Sequence, residues 1–240
     1  MATFVLVHGA WHGGWCWSRV TPKLRALGHN VFTPTMTGFG ERSHFLSPEI
    51  GLEINITDIE NVIIWENLSE VILVAASYAG MVTTCVADRL PDRISALVYQ
   101  NAFIASDGVS QNDLLPEWRR VMIEENIEDS WCMPPPDPKI FGVDSSKDQE
   151  WIRSKMTPQA AKSFRDKALI TGAHSVVTNR TYIRATGYPN ETFDRYLREA
   201  QSDPKWRVNV LNTSHDAMIT LPNEIVRILA EVSDSIGRRA

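Results

Sequence analysis

Cysteine is scarce in this chain: Cys16, Cys85 and Cys132 are odd in number and far apart among 240 residues. That spacing excludes a disulfide framework and a cysteine zinc site. Basic residues are in deficit too, with 24 Lys and Arg against 29 Asp and Glu and a net charge of -5. Neutralising phosphates needs a clustered basic excess, so no nucleic-acid partner is expected. No apolar run approaches the roughly eighteen residues of a membrane span, and residues 1–7 lack the basic start of a secretory signal. The expectations are no membrane association and a cytoplasmic location. Phosphate loops, dinucleotide fingerprints and metal-ligand clusters are missing, which points to no cofactor and no metal. Internal repeats and low-complexity segments are also missing, and the sequence is silent on oligomeric state.

What is present is an ordinary globular composition, 43% hydrophobic and 22% charged. It suits one domain over residues 1–240 with an insertion better than two independent domains. The chain is organised around Val71-Ile72-Leu73-Val74-Ala75-Ala76-Ser77-Tyr78-Ala79-Gly80-Met81-Val82. A β-prone apolar run ends in small residues around one serine and passes at once into helix formers. Strand, sharp turn and helix is the setting that lifts a serine to the top of a parallel sheet as a nucleophile. The usual form is Gly-x-Ser-x-Gly, and Ala75 and Ala79 stand at its glycine positions. A buried strand and a helix with an incidental serine is the alternative, so the partners of Ser77 have to be found elsewhere.

Along the chain, residues 3–7 form a β-prone run that ends in a glycine-bearing loop, His8 to Trp15. Residues 18–27 read as a helix capped by Ser18 or Thr21 and ended by Gly28, and residues 30–34 as a strand. Leu52, Ile56, Ile59 and Ile63 mark one face of a helix reaching about Asn67. The elbow follows, and then a β-branched run over 94–99. This alternation implies a parallel sheet with helices on both faces and a site at the carboxyl ends of the strands. It breaks over approximately 103–178, a stretch with Trp118, Trp131, Trp151 and a Pro-rich loop, helical pieces around 114–125 and 158–168, and no convincing strand. A helical cap over the strand ends accounts for this better than a loop-rich edge. Strands at 180–185 and 206–211 and helices at 191–201 and beyond 222 restore the alternation.

A serine hydroxyl needs a base, and the base needs an orienting group. His215 follows the last strand in the chain order this architecture requires. His8 and His12 belong to the early loop, where shaping that loop by hydrogen bonds is the expected role. The oxyanion donors expected here are the N–H of Tyr78 and the N–H of Ala10. For the acid, residues 186–190 offer no carboxylate. The end of the 94–99 strand offers Asn101, which can orient a histidine through its carbonyl oxygen but cannot balance its charge. Asp107 is the other choice, against its reading as a turn aspartate beside Gly108.

The runs Phe4 to Trp17, Thr37 to His44, Met81 to Thr84 with Ala87 to Arg93, and Ser214 to Met218 resemble the α/β-hydrolase superfamily. The branch is that of bacterial esterase-like relatives of plant methylesterases and hydroxynitrile lyases. The resemblance implies an α/β-hydrolase fold, a mostly parallel central sheet with helices on both faces and a helical cap insertion. Members usually carry Gly-His-Ser-Tyr-Gly-Gly at the elbow, and many bacterial ones carry aspartate where Asn101 stands. Plant lyases carry threonine and lysine where this chain has Gly9 and Asp216, which disfavours cyanohydrin cleavage.

The leading reading is a serine-dependent hydrolase of a small apolar or aromatic carboxylic ester or lactone, working through an acyl-enzyme. Ser77, His215 and Asn101 are its catalytic candidates, and Trp11, Trp118 and Trp131 its candidate pocket walls. The alternatives are a cyclase, retro-aldol or decarboxylase reaction on the same scaffold, and a ligand-binding protein without turnover. A small molecule is the expected partner in each.

Overall fold

A computed structural model describes residues 1–127 and 131–237. In chain order the first half runs β1 (Thr3–Val7), α1 (Thr21–Ala26), β2 (Asn30–Phe32), α2 (Leu52–Trp65), β3 (Val71–Ala76), α3 (Ala79–Arg89) and β4 (Ile94–Gln100). There follow α4 (Glu117–Glu125), β5 (Cys132–Met133), α5 (Ser146–Arg153), β6 (Gln159–Ala160) and α6 (Lys162–Arg165). The chain then gives β7 (Arg180–Ala185), α7 (Glu191–Ser202), β8 (Trp206–Leu211), α8 (Ala217–Thr220) and α9 (Pro222–Gly237). Six strands make one sheet in the order β2-β1-β3-β4-β7-β8, every neighbour parallel.

The strand sequences explain why both faces are covered. In β1, Phe4 and Leu6 point into one core while Val5 and Val7 point into the other, and in β3 Ile72, Val74 and Ala76 alternate likewise with Val71, Leu73 and Ala75. Leu24 of α1 and Ile225, Ile228 and Leu229 of α9 fill the first core. Ile56, Ile59 and Ile63 of α2, Val82 and Val86 of α3, and Phe193 of α7 fill the second. Residues apolar on both sides suit a doubly covered parallel sheet. All six residues of β3 are buried.

Two local expectations are revised. The helix expected over 18–27 is preceded by a short 3₁₀ turn, Gly14–Trp17, and α1 itself has no side-chain cap. Thr21 Oγ instead donates back to the Trp17 carbonyl at 3.0 Å. In the insertion, the helix expected over 158–168 shrinks to α6, and β5 pairs with β6 antiparallel. Strands of two residues carry no readable period. Gln159 of β6 also bonds beyond its strand. Its Oε1 accepts the Trp11 N–H at 3.2 Å and its Nε2 donates to Ser163 at 2.7 Å.

The insertion is fastened down at several points besides this. Thr157 N–H donates to the Trp11 carbonyl at 3.0 Å, Gly40 N–H to Thr157 Oγ1 at 3.0 Å, and Leu52 N–H to Asp166 Oδ2 at 3.0 Å. Among the described residues no helix is long and apolar enough to cross a membrane.

Candidate active site

β3 ends at Ala76 and α3 begins at Ala79, so the chain reverses direction within two residues. Ser77 sits in that turn at φ 54°, in the left-handed region that non-glycine residues avoid. Such strain costs of order 1–3 kcal/mol and persists where the surroundings over-determine it. Here Ser77 N–H donates to the Gln100 carbonyl at 3.2 Å, and its carbonyl accepts from Gly80 and Phe103, both at 3.1 Å. The steric demand falls on particular neighbours. A Cβ at Gly80 would collide with the Phe103 carbonyl oxygen, and one at Gly9 would lie 3.0 Å from Ser77 Cβ. Ala75 and Ala79 are wholly buried in ordinary strand and helix, where a methyl fits.

The loop after β1 is shaped by the hydrogen bonds of its histidines. His8 Nδ1 donates to the Gly9 carbonyl at 2.8 Å and its Nε2 accepts from Met36 N–H at 3.0 Å. That fixes a neutral tautomer, and burial pushes its pKa down to about 3. His12 Nδ1 donates to the Ala10 carbonyl at 2.7 Å. Ala10 is thereby held beside Ser77, with which it lines a common cavity. Among the described residues, no loop carbonyl takes the N–H of Ala10 or Tyr78.

His215 follows β8 and is buried. Its N–H donates to the Phe141 carbonyl at 2.8 Å, and its carbonyl accepts from Gln100 Nε2 at 2.7 Å. The ring stacks on Phe193 at 5.7 Å between centroids with 6° between planes, and Tyr188 lies 4.5 Å away. Burial lowers its pKa to about 4; Asp216 pulls it up, while His12, Arg119 and Arg184 push further down. The ring is therefore neutral at pH 7.

Asn101 follows β4 directly at φ 42°, buried, with its side chain beside the His215 ring. Its Oδ1 accepts from Ala185 N–H at 2.8 Å and from Arg184 Nη1 at 3.2 Å; its Nδ2 donates to the Ala185 carbonyl at 3.0 Å and lies 3.3 Å from His215 Nδ1. The group facing the histidine is thus the amide nitrogen rather than the expected carbonyl oxygen. Asp107 does not reach the ring: it sits exposed in the turn before Gly108, and its Oδ1 accepts from the distant Ile170 N–H at 3.0 Å.

Ser77 and His215 open together onto a cavity of about 330 Å³ walled largely by apolar side chains. Trp11 and Trp118 line it, but Trp131 does not; its carbonyl accepts from Ala161 N–H at 2.7 Å, and it is half-buried away from the wall. Phe103, Phe141, Phe164, Tyr188 and Phe193 complete the aromatic part, none of them singled out as a pocket wall by the sequence because single aromatics carry no motif.

A buried carboxylate also reaches the site by an unexpected route. Asp216 Oδ2 lies 3.4 Å from His12 Nε2, both groups are buried, and both border a water-sized void shared with Ser77 and His215. His12 Nδ1 is committed as a donor to Ala10, so protonation of Nε2 makes the contact an ion pair. Burial pulls the His12 pKa down, but the charge and hydrogen bonding of Asp216 outweigh it and raise the value. Burial likewise pushes Asp216 up, and His12 brings it below its ordinary value.

The profile of the α/β hydrolase family matches residues 4–228. The chain belongs to the α/β hydrolase family. Within it, the chain is 38% identical to the carbendazim hydrolyzing esterase of Nocardioides sp. (strain SG-4G), over 96% of this chain and 99% of that one. It is 26% identical to methyl jasmonate esterase 1 of Vitis vinifera, covering 97% of each. Among solved α/β hydrolases, an extracellular one from a Paenibacillus species superposes with TM-score 0.86 at 22% identity, over 97% of this chain and 99% of that one. Tomato methylketone synthase I superposes with TM-score 0.77 at 17% identity, over 98% of each chain.

Proposed function

We propose that this α/β hydrolase is a serine esterase that cleaves small, largely apolar or aromatic carboxylic esters or lactones through an acyl-enzyme. The observation that carries the reading is a serine held at a strained elbow, facing an apolar cavity whose wall also holds a buried histidine. About 330 Å³ is within the range of small-molecule sites. The esterases at 38% and 26% identity support ester cleavage as the reaction.

In the chemistry so assigned, Ser77 Oγ bonds to the substrate carbonyl carbon while its proton passes to His215 Nε2. The resulting oxyanion is held by the Ala10 and Tyr78 N–H groups. Collapse breaks the ester C–O bond, and the leaving alkoxide takes the proton from His215. Water then adds to the acyl carbon by the same path, returning Ser77 and the free acid. The helices and loops of the insertion act as a cap that walls the substrate. No cofactor enters any step, and the partner is a small molecule.

A second reading is a carbon–carbon bond reaction in which His215 works as an acid without an acyl-enzyme. It is favoured by the Asn101 amide nitrogen beside His215 Nδ1. Intact-mass analysis after treatment with a fluorophosphonate separates the two. One adduct per chain at Ser77, together with aryl-ester hydrolysis that Ser77→Ala abolishes, supports the esterase. No adduct and no such hydrolysis would reject it, and binding without chemical change would leave a ligand-binding protein.

A further inference from the structure

We propose that Asn101, clamped by Ala185 and Arg184, holds His215 in the tautomer with its proton on Nε2. In the resting enzyme the ring then faces the cavity as a hydrogen-bond donor rather than as a base.

The amide orientation is fixed by its partners. Turning the side chain over would set Oδ1 against the Ala185 carbonyl, now 3.0 Å from Nδ2. It would also set Nδ2 against the Ala185 N–H at 2.8 Å and against Arg184 Nη1 at 3.2 Å. Each contact would oppose like to like in a buried setting, where an unmet polar group costs most. Arg184 cannot move aside to relieve them. It is 2% exposed, its Nε donates to Asp194 Oδ1 at 2.8 Å, and its Nη1 also donates to the Ala185 carbonyl.

With the amide fixed, one Nδ2 hydrogen goes to Ala185 and the other is directed at His215 Nδ1, 3.3 Å away. Nδ1 must then present a lone pair, and the single proton of a neutral imidazole resides on Nε2. An imidazolium is opposed by the same contact, since it would set N–H against N–H. The stacked Phe193 and the neighbouring Tyr188 hold the ring plane, so the two nitrogens cannot exchange places freely.

For ester cleavage, on which this inference rests, the consequence is kinetic. His215 Nε2 cannot accept the Ser77 proton while it carries its own. The proton must first leave Nε2 and Nδ1 must take one up against the Asn101 amide, so only a minor population is competent and the acylation rate scales with that fraction. Asn101 and Arg184 are thus positioning residues that restrain the hydrolytic step.

Asn101→Asp replaces the facing N–H by a carboxylate oxygen that accepts from Nδ1–H, while Arg184 and the Ala185 N–H keep an oxygen to donate to; the Ala185 carbonyl loses the amide donor, meets that oxygen instead and retains Arg184 Nη1. The test is ¹⁵N NMR of histidine-labelled protein at pH 7, with the ring assigned by comparison with His215→Gln. Pre-steady-state acylation by a chromogenic aryl ester is followed alongside it. The unsubstituted protein is expected to show a protonated Nε2 and a lone-pair Nδ1. Asn101→Asp is expected to reverse the pattern and to raise the acylation rate at least about tenfold, the converse exchange in a serine protease costing roughly 10⁴-fold. A protonated Nδ1 in the unsubstituted protein overturns the proposal, whether or not the variant folds. A reversed pattern without faster acylation overturns the claim that the tautomer limits the rate. Loss of fluorophosphonate labelling at Ser77 would sink the esterase reading instead, and leaves the ring pattern to be judged separately.

Discussion

Replacing Asp216 by Asn removes the carboxylate from a buried pair and leaves His12 beside a neutral amide. At the observed 3.4 Å separation the pair attracts by about 5 kcal/mol at an effective dielectric near 20. Desolvation of both groups cancels part of this, and a charge left unpaired in the interior would cost roughly 3–5 kcal/mol. His12 has an escape, because its own burial favours the neutral ring and it can release its proton. The expected loss is therefore about 2–3 kcal/mol. At roughly 2–4 °C per kcal/mol for a chain of this size, melting falls by about 5–10 °C.

The loss must also depend on pH. The His12 pKa is raised above its ordinary 6.5, so its contribution is full below that pH and fades as pH rises through the raised value. The Asp216 pKa is lowered below its ordinary 3.8, so its contribution is present above that pH and fades as pH falls through the lowered value. The difference between native protein and variant should be largest between these two ordinary values and should narrow in alkali. Urea unfolding followed by tryptophan fluorescence, at pH 5.5, 7 and 9, measures it, and a cycle with His12→Gln isolates the coupling. A change below about 0.5 kcal/mol at pH 5.5, the size typical of a neutral surface substitution, would refute the ion pair. So would a loss that does not vary with pH.

Three further substitutions probe the elbow and the cavity mouth. Gly80→Ala drives a methyl into the carbonyl of Phe103, a residue whose N–H is tied to the Ser77 carbonyl, so loss of the folded state or a thermal shift worth more than about 3 kcal/mol is expected. Ala79→Gly, by contrast, should cost only about 1 kcal/mol of helix propensity and keep turnover. Trp118 is 58% exposed at the cavity rim, so Trp118→Ala should leave melting nearly unchanged while raising KM for aryl esters more than for acetate esters, as steady-state kinetics would show. A fall in melting without a change in KM would mean that Trp118 packs rather than binds.

Much of the fold was legible because buried parallel strands advertise themselves. The runs at 71–76 and 180–185 coincide with the buried β3 and β7, the run at 206–211 with the edge strand β8, and the i, i+4, i+7 spacing from Leu52 gives α2 its buried face. The insertion was legible only as an interruption, since its short pieces are held by side-chain bonds such as those of Gln159 and Asp166 that leave no period in the sequence. In the site, Ser77 and His215 are readable from strand ends and chain order. The partner of His12 was hidden although Asp216 adjoins His215, because a contact between the loop after β1 and the loop after β8 exists only once the whole sheet is assembled. The direction of the Asn101 amide was beyond reach as well: it is set by both backbone groups of Ala185, a residue 84 positions away.

The tie between Trp11 and the insertion bears on how such proteins can be re-engineered. Trp11 adjoins Ala10, its N–H is taken by Gln159 and its carbonyl by Thr157, and both of those residues belong to the insertion. A graft that replaces the insertion would therefore strand both backbone groups of Trp11 unless it restores an acceptor and a donor at the same places. Insertion and loop are in this sense one unit, and libraries that vary the insertion are best built with positions 157 and 159 held constant.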